Sequence, residues 1–155
     1  MNKILKKTID LLEELLPGSE PNPHPGMPVP EVLGFAMYPL MGEDKFRMIL
    51  TVDYDDSSQE LRFRACSADG VNEIEFAREL IRSFNAAGKF SHFSLERDNS
   101  VQVTHRELLL TDLLVTRELI DKMLRSSLGT LRSSRSLFIW NEPELHKKSR
   151  ELGEL

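Results

Sequence analysis

The chain predicts an α+β domain in which helices pack on a five-stranded antiparallel sheet, in the order α-β-β-β-α-β-β-α. Three observations carry this. Leucine-rich stretches near both ends and a third in the middle repeat their apolar residues with helical spacing. Between the first two lie three short runs that alternate apolar and polar residues. A further pair of alternating runs follows the central helix, separated by Asp98-Asn99-Ser100.

The first helix spans residues 3–16. Leu5, Ile9, Leu12 and Leu16 form its stripe, widened by Ile4, Leu11 and Leu15, and Pro17-Gly18 ends it. Lys3, Lys6 and Lys7 oppose the macrodipole, so the first turn is expected to fray. Residues 17–30 hold Pro17, Pro21, Pro23, Pro25, Pro28 and Pro30, a density that forbids helix and favours extended backbone. This is a connector or a proline-type recognition motif; the lack of flanking aromatic and basic residues favours the connector.

Three strands follow, with Leu33, Phe35 and Met37 on one face of the first, and Phe46, Met48, Leu50, Val52 and Tyr54 on one face of the second. Leu61, Phe63 and Ala65 alternate in the third. Pairing Tyr54 with Leu61 leaves Asp56-Ser57-Ser58-Gln59 as a four-residue loop and sets Val52 opposite Phe63 and Leu50 opposite Ala65. Pairing Met37 with Phe46 sets Phe35 against Met48 and Leu33 against Leu50, with the turn near Met41-Gly42. The central helix has Asn72 as N-cap with Glu75 three residues on, a stripe of Ala77, Leu80, Ile81, Phe84 and Ala87, and Gly88 as a left-handed stop. In the second hairpin, Phe90 to Leu110, the loop Asp98-Asn99-Ser100 aligns Leu95 with Val103 and Phe93 with His105. The last helix runs from about Thr116 to Leu131 through Leu119, Ile120, Met123, Leu124, Leu128 and Leu131, weakened at Gly129 by about 1 kcal/mol relative to alanine. Leu137 to Trp140 must dock against something apolar. Residues 1–140 therefore form one domain, and 141–155 a charged tail, either a short solvated helix or disordered.

Composition narrows the function. A chain of 155 residues and 17.8 kDa is long enough for a true core. A net charge of −5 argues against a broad nucleic-acid-binding surface. A single cysteine, Cys66, excludes an internal disulfide and fits a reducing, cytoplasmic compartment. No apolar run reaches the roughly 20 residues needed to span a bilayer, so no membrane association is expected.

No residue pattern for catalysis, cofactor or metal emerges. His24, His92, His105 and His146 lack ligand spacing, and His92 and His105 fall on opposite sheet faces in the chosen register. Asp53, Asp55 and Asp56 start like a calcium loop, but Ser58 and Arg64 stand where glycine and glutamate are needed. Cys66 has no flanking base and reads as an inert thiol. Arg125, Arg132 and Arg135 among serines read as a polar helix end.

Phe84-Asn85, Gly88-Lys89-Phe90, Leu108-Leu109-Leu110 and the run Thr116…Glu118-Leu119-Ile120…Met123-Leu124 carry a resemblance. With the element order, they resemble the YbjN family, labelled bacterial sensory transduction regulators, and the wider type III secretion chaperone-like fold. The detail covers roughly residues 70–140, and 31–70 match only as topology; the proline-dense connector and the charged tail have no counterpart. The resemblance implies a non-enzymatic, often homodimeric protein that binds another polypeptide, with no catalytic residues to carry over. A small-ligand sensor is the alternative. The expected outward sheet face carries Thr51, Asp53, Arg62, Arg64, His92, Ser94 and Gln102, interleaved with Ile49 and Val101. The expected interaction surface combines Arg62 and Arg64 with Leu119 and Met123 of the last helix, whose leucine side would serve dimerisation, and Trp140.

Overall fold

A computed structural model describes residues 1–42, 45–88 and 91–141. The elements are α1 (Lys3–Leu15), α2 (Pro30–Leu33), β1 (Phe35–Met41), β2 (Arg47–Asp55), β3 (Glu60–Gly70), α3 (Ile74–Ala87), β4 (Ser91–Leu95), β5 (Ser100–Leu108), α4 (Arg117–Leu124) and α5 (Thr130–Ser134). The strands form one antiparallel sheet in the order β1-β2-β3-β5-β4. The longer helices pack on one face of it, and Leu12, Leu50, Leu61, Phe63, Val103, Ile120 and Leu131 are fully enclosed between. To the predicted order the structure adds the short α2, single 3-10 turns at Asp112–Leu114 and Arg135–Leu137, and a break that divides the last helix into α4 and α5.

The β2–β3 register is the expected one, Tyr54 opposite Leu61 and Val52 opposite Phe63. The β1–β2 register is not. Tyr38 lies opposite Leu50 and Leu40 opposite Met48, an odd shift that turns Ala36, Tyr38 and Leu40 to the core and Phe35 and Met37 outward. Leu33 leaves the strand altogether for α2, which Gly34 closes at φ 79°. The turn lies later than predicted, where the Gly42 N–H donates to the Phe46 carbonyl. Both faces of β1 are apolar, so alternation could not choose between them.

The second hairpin keeps its faces but slides by two residues. Phe93 pairs with Val103 and Leu95 with Val101, and Glu96 bonds back to Ser100 across a three-residue loop, Arg97-Asp98-Asn99. Asn99 takes the left-handed conformation, φ 66°, that this loop type needs. Val101 shares the face of Val103 and is a core residue, not an outward one.

The helix ends differ from expectation in informative ways. Asn2 caps α1, its side chain accepting from the Ile4 and Leu5 N–H groups, which counters the lysine-rich first turn. Asn72 does not cap α3. Its N–H donates to the Ile139 carbonyl at 2.6 Å, and Glu73 precedes the helix at φ 54°. Gly88 is extended (φ −78°), not left-handed. The segment after α5 takes the backbone that capping would have used: Val71 bridges Trp140, and Asn141 donates to Gly70. The last helix continues past Leu131 to Ser134, with a wider π-helical turn at Arg125–Gly129 between α4 and α5. There the Ser127 hydroxyl donates back to the Met123 carbonyl, and Gly129 holds the helix weakly. Lys89, Phe90 and the tail beyond Asn141, including His146, lie outside the described residues.

Candidate protein-interaction surface

The sheet has one covered and one open face, and the open face is the candidate site. Residues directly opposite each other in an antiparallel pair share a face. Phe35, Met37, Pro39 and Met41 therefore form an outward column on β1, and Ile49, Thr51 and Asp53 sit beside it on β2. Arg62, Arg64 and Cys66 continue it on β3, and Gln102, Thr104 and Arg106 on β5. Outward positions of β2 and β3 are half-buried, and Met41 and Arg106 are exposed. Among the described residues no helix packs across this face.

Its polar centre is the Arg62 guanidinium, bonded to Asp53 and 3.5 Å from Asp55. Arg64 and Arg106 have no carboxylate partner among the described residues. The acidic cluster is used internally: Asp53 holds Arg62, Asp55 accepts from the Ser57 hydroxyl and N–H, and Asp56 accepts from Asn2. The Ser57 bonds lower the Asp55 carboxyl below its usual range. Cys66 is half-buried, and its thiol donates to Ser100 Oγ at 3.2 Å; burial pushes its pKa up, away from the reactive thiolate. His105 lies in the core with Nε2 2.9 Å from Glu107, while His92 is exposed on the opposite face. No three of the described His, Cys, Asp and Glu side chains converge at metal-binding distance.

An asparagine occupies part of each sheet edge. On β1 the Asn22 N–H donates to the Met37 carbonyl, its side chain donates to the Phe35 carbonyl, and its Oδ1 accepts from the Met37 N–H at 2.7 Å. Pro39, two residues on with the same orientation, has no N–H to offer. On β4 the Asn85 side chain donates to the Phe93 carbonyl and accepts from its N–H. Sequence reasoning missed both. Asparagine in a proline-rich connector and asparagine inside a helix were visible signals, but their strand partners were not.

The predicted interaction residues separate. Arg62 and Arg64 stand together on the open face. Met123 is fully buried and Leu119 packs against the core, so the leucine side of the last helix covers the sheet and is closed to a second subunit. Trp140 lies in an aromatic cluster, 5.3 Å from Phe46 and 5.6 Å from Phe138, with its indole N–H donating to the Arg135 carbonyl. Two further surfaces stand out. Leu108, Leu110, Leu113 and Leu114 are exposed at the end of β5. An open groove of about 600 Å³ lies between α3 and α5, lined by Phe84, Phe93, Arg125, Ser133 and Leu137 among others.

These features define a mixed α+β protein, a five-stranded antiparallel sheet with its helices on one side. The chain is similar to a chain in the crystal structure of the ExsC–ExsE complex, with a TM-score of 0.58 over 88% of this chain and 94% of that one. Sequence identity between them is 17%, so the likeness is one of fold. No family model matches the chain, and no curated protein matches it in sequence. No helix among the described residues is long and apolar enough to cross a membrane.

Proposed function

We propose that this chain is a non-enzymatic, cytoplasmic protein-binding module of the YbjN type, homodimeric, and chaperone-like or regulatory in role. The observation that carries this is the open sheet face: a complete core on one side, and on the other an apolar column beside half-buried arginines. Such a mixture of apolar centre and polar surroundings suits contact with another polypeptide. The fold neighbour was solved in a complex, which supports the same reading. The exposed leucines 108, 110, 113 and 114 supply apolar area toward the roughly 800 Å² per partner that a standard dimer interface needs.

Light scattering should give the mass of two chains, and affinity capture from native extract should retrieve a defined polypeptide. A strict monomer that captures nothing would overturn the proposal. The groove beside Arg125 favours a second reading, a small-ligand sensor, because its volume falls within the usual range of ligand sites. A saturable rise in melting temperature with one metabolite class would select that reading.

A further inference from the structure

The open face also specifies the chemistry of its partner, an inference that rests on the protein-binding reading and deepens it. The chain is acidic overall, with a formal charge of −5, yet this face gathers Arg62, Arg64 and Arg106 beside Asp53, Asp55 and Glu60, and the carboxylates crowd around Arg62. Arg62 and Arg106 lie directly opposite each other on β3 and β5, and Arg64 is diagonal to Arg106. Like charges in such positions repel. Asp53 and Asp55 neutralise only Arg62, so Arg64 and Arg106 are left as adjoining cations with no carboxylate partner among the described residues. On the other side of β2, two strand spacings or about 10 Å from β3, runs the apolar column Phe35, Met37, Pro39 and Met41. That separation is close to the diameter of an α-helix with its side chains, about 10–12 Å, and Arg106, on β5, lies one strand spacing further, about 14 Å from the column. An incoming extended strand finds no vacancy at the positions Asn22, Pro39 and Asn85 guard, since Phe35, Met37 and Phe93 already have their outer backbone partners.

We propose that the open face docks an acidic amphipathic helix of a partner polypeptide, lying flat along the strands with its apolar stripe on the β1 column and its carboxylates over Arg64 and Arg106. Charge complementarity selects the acidic flank, and the apolar column selects a peptide over a nucleic acid.

The test uses the full chain and four labelled probes read by fluorescence anisotropy near 0.1 M salt: a helical 20-residue Leu/Glu/Ala peptide with glutamates along one flank, its Lys-for-Glu and Ser-for-Leu counterparts, and a single-stranded 20-nucleotide DNA. The glutamate peptide should bind at least tenfold more tightly than the other three. Arg64→Glu with Arg106→Glu should lose that binding tenfold or more and gain affinity for the lysine peptide, while melting as the wild type does. Arg64→Gln with Arg106→Gln, which adds no new charge, should weaken the glutamate peptide without recruiting the lysine one. Met41→Ser, at a side chain that is 66% exposed, should weaken binding severalfold. Equal affinity for glutamate and lysine peptides, tighter binding of the DNA, or indifference to charge reversal would each overturn the inference. If wild type and the charge-reversed variant capture the same polypeptide from extract, the docking inference fails and the protein-binding reading stands. If neither captures anything and no peptide binds, both fail.

Discussion

The two faces of the sheet are built from the same strands by opposite rules. On the covered face apolar side chains dominate and are enclosed: Leu50, Val52, Phe63, Ala65 and Val103 have no accessible surface. On the open face the intervening positions are Thr51, Asp53, Arg62, Arg64 and Gln102, half-buried by their neighbours and not by a helix. Packing therefore sets stability on one side, and in the proposed reading charge placement sets recognition on the other. Substitutions should divide accordingly, with large stability effects inward and large binding effects outward.

The strongest test is Phe63→Ala, which should cost about 3–5 kcal/mol in a denaturant melt, because a fully enclosed ring leaves a cavity. Phe84 is only half-buried, stacked 4.7 Å from Phe93 and 6.0 Å from Phe138, so Phe84→Ala should fall near the lower end, about 3 kcal/mol. A loss under about 1 kcal/mol would place α3 off the covered face. Asn85→Ala should cost about 1–3 kcal/mol by stranding both backbone groups of Phe93, and hydrogen exchange should show that amide losing protection.

Tyr38 inverts the usual sign. Its ring is enclosed, but its hydroxyl has no hydrogen-bond partner among the described residues, and burial first, then Glu13 and Asp10, push its pKa far above normal. Tyr38→Phe should be neutral or stabilise by about 1 kcal/mol, since it removes an unpaired polar group from the covered face. A clear loss would mean the hydroxyl is satisfied. At the strand ends, Asp98 accepts from the Ser100 hydroxyl at 2.6 Å and the Ser100 N–H, which hold its carboxyl below the usual range. A depressed folded pKa gives stability that is present above the unfolded value, about 3.9, and lost as pH falls through the folded one. The difference in unfolding free energy between wild type and Asp98→Ala should thus be largest near neutrality and shrink below about pH 4; a flat difference would refute the linkage. The smallest stability effect belongs to Arg64→Glu, within about 0.5 kcal/mol, although it should change binding most.

How much could be read beforehand varies with the element. The β2–β3 hairpin was legible because one face alternates cleanly and the four-residue loop admits one register. Arg62 and Arg64 were legible as outward residues for the same reason. β1 was not, since Phe35 and Met37 compete with Ala36, Tyr38 and Leu40 on equal apolar terms. Met123 was misplaced on the surface because a helical stripe shows that a face is apolar, not what it meets.

By itself the sequence determined the element order, the helix stripes and the sign alternation of the central strands, because these depend on neighbours three or four residues away or directly across a short loop. The tertiary structure alone decided which face of β1 turned inward, that Asn22 and Asn85 occupied part of each edge, and that the backbone at Asn72 joined Ile139 instead of capping a helix. Each of those outcomes is a hydrogen bond or burial choice between segments brought together only by folding, where several local arrangements were nearly equal and the contact broke the tie.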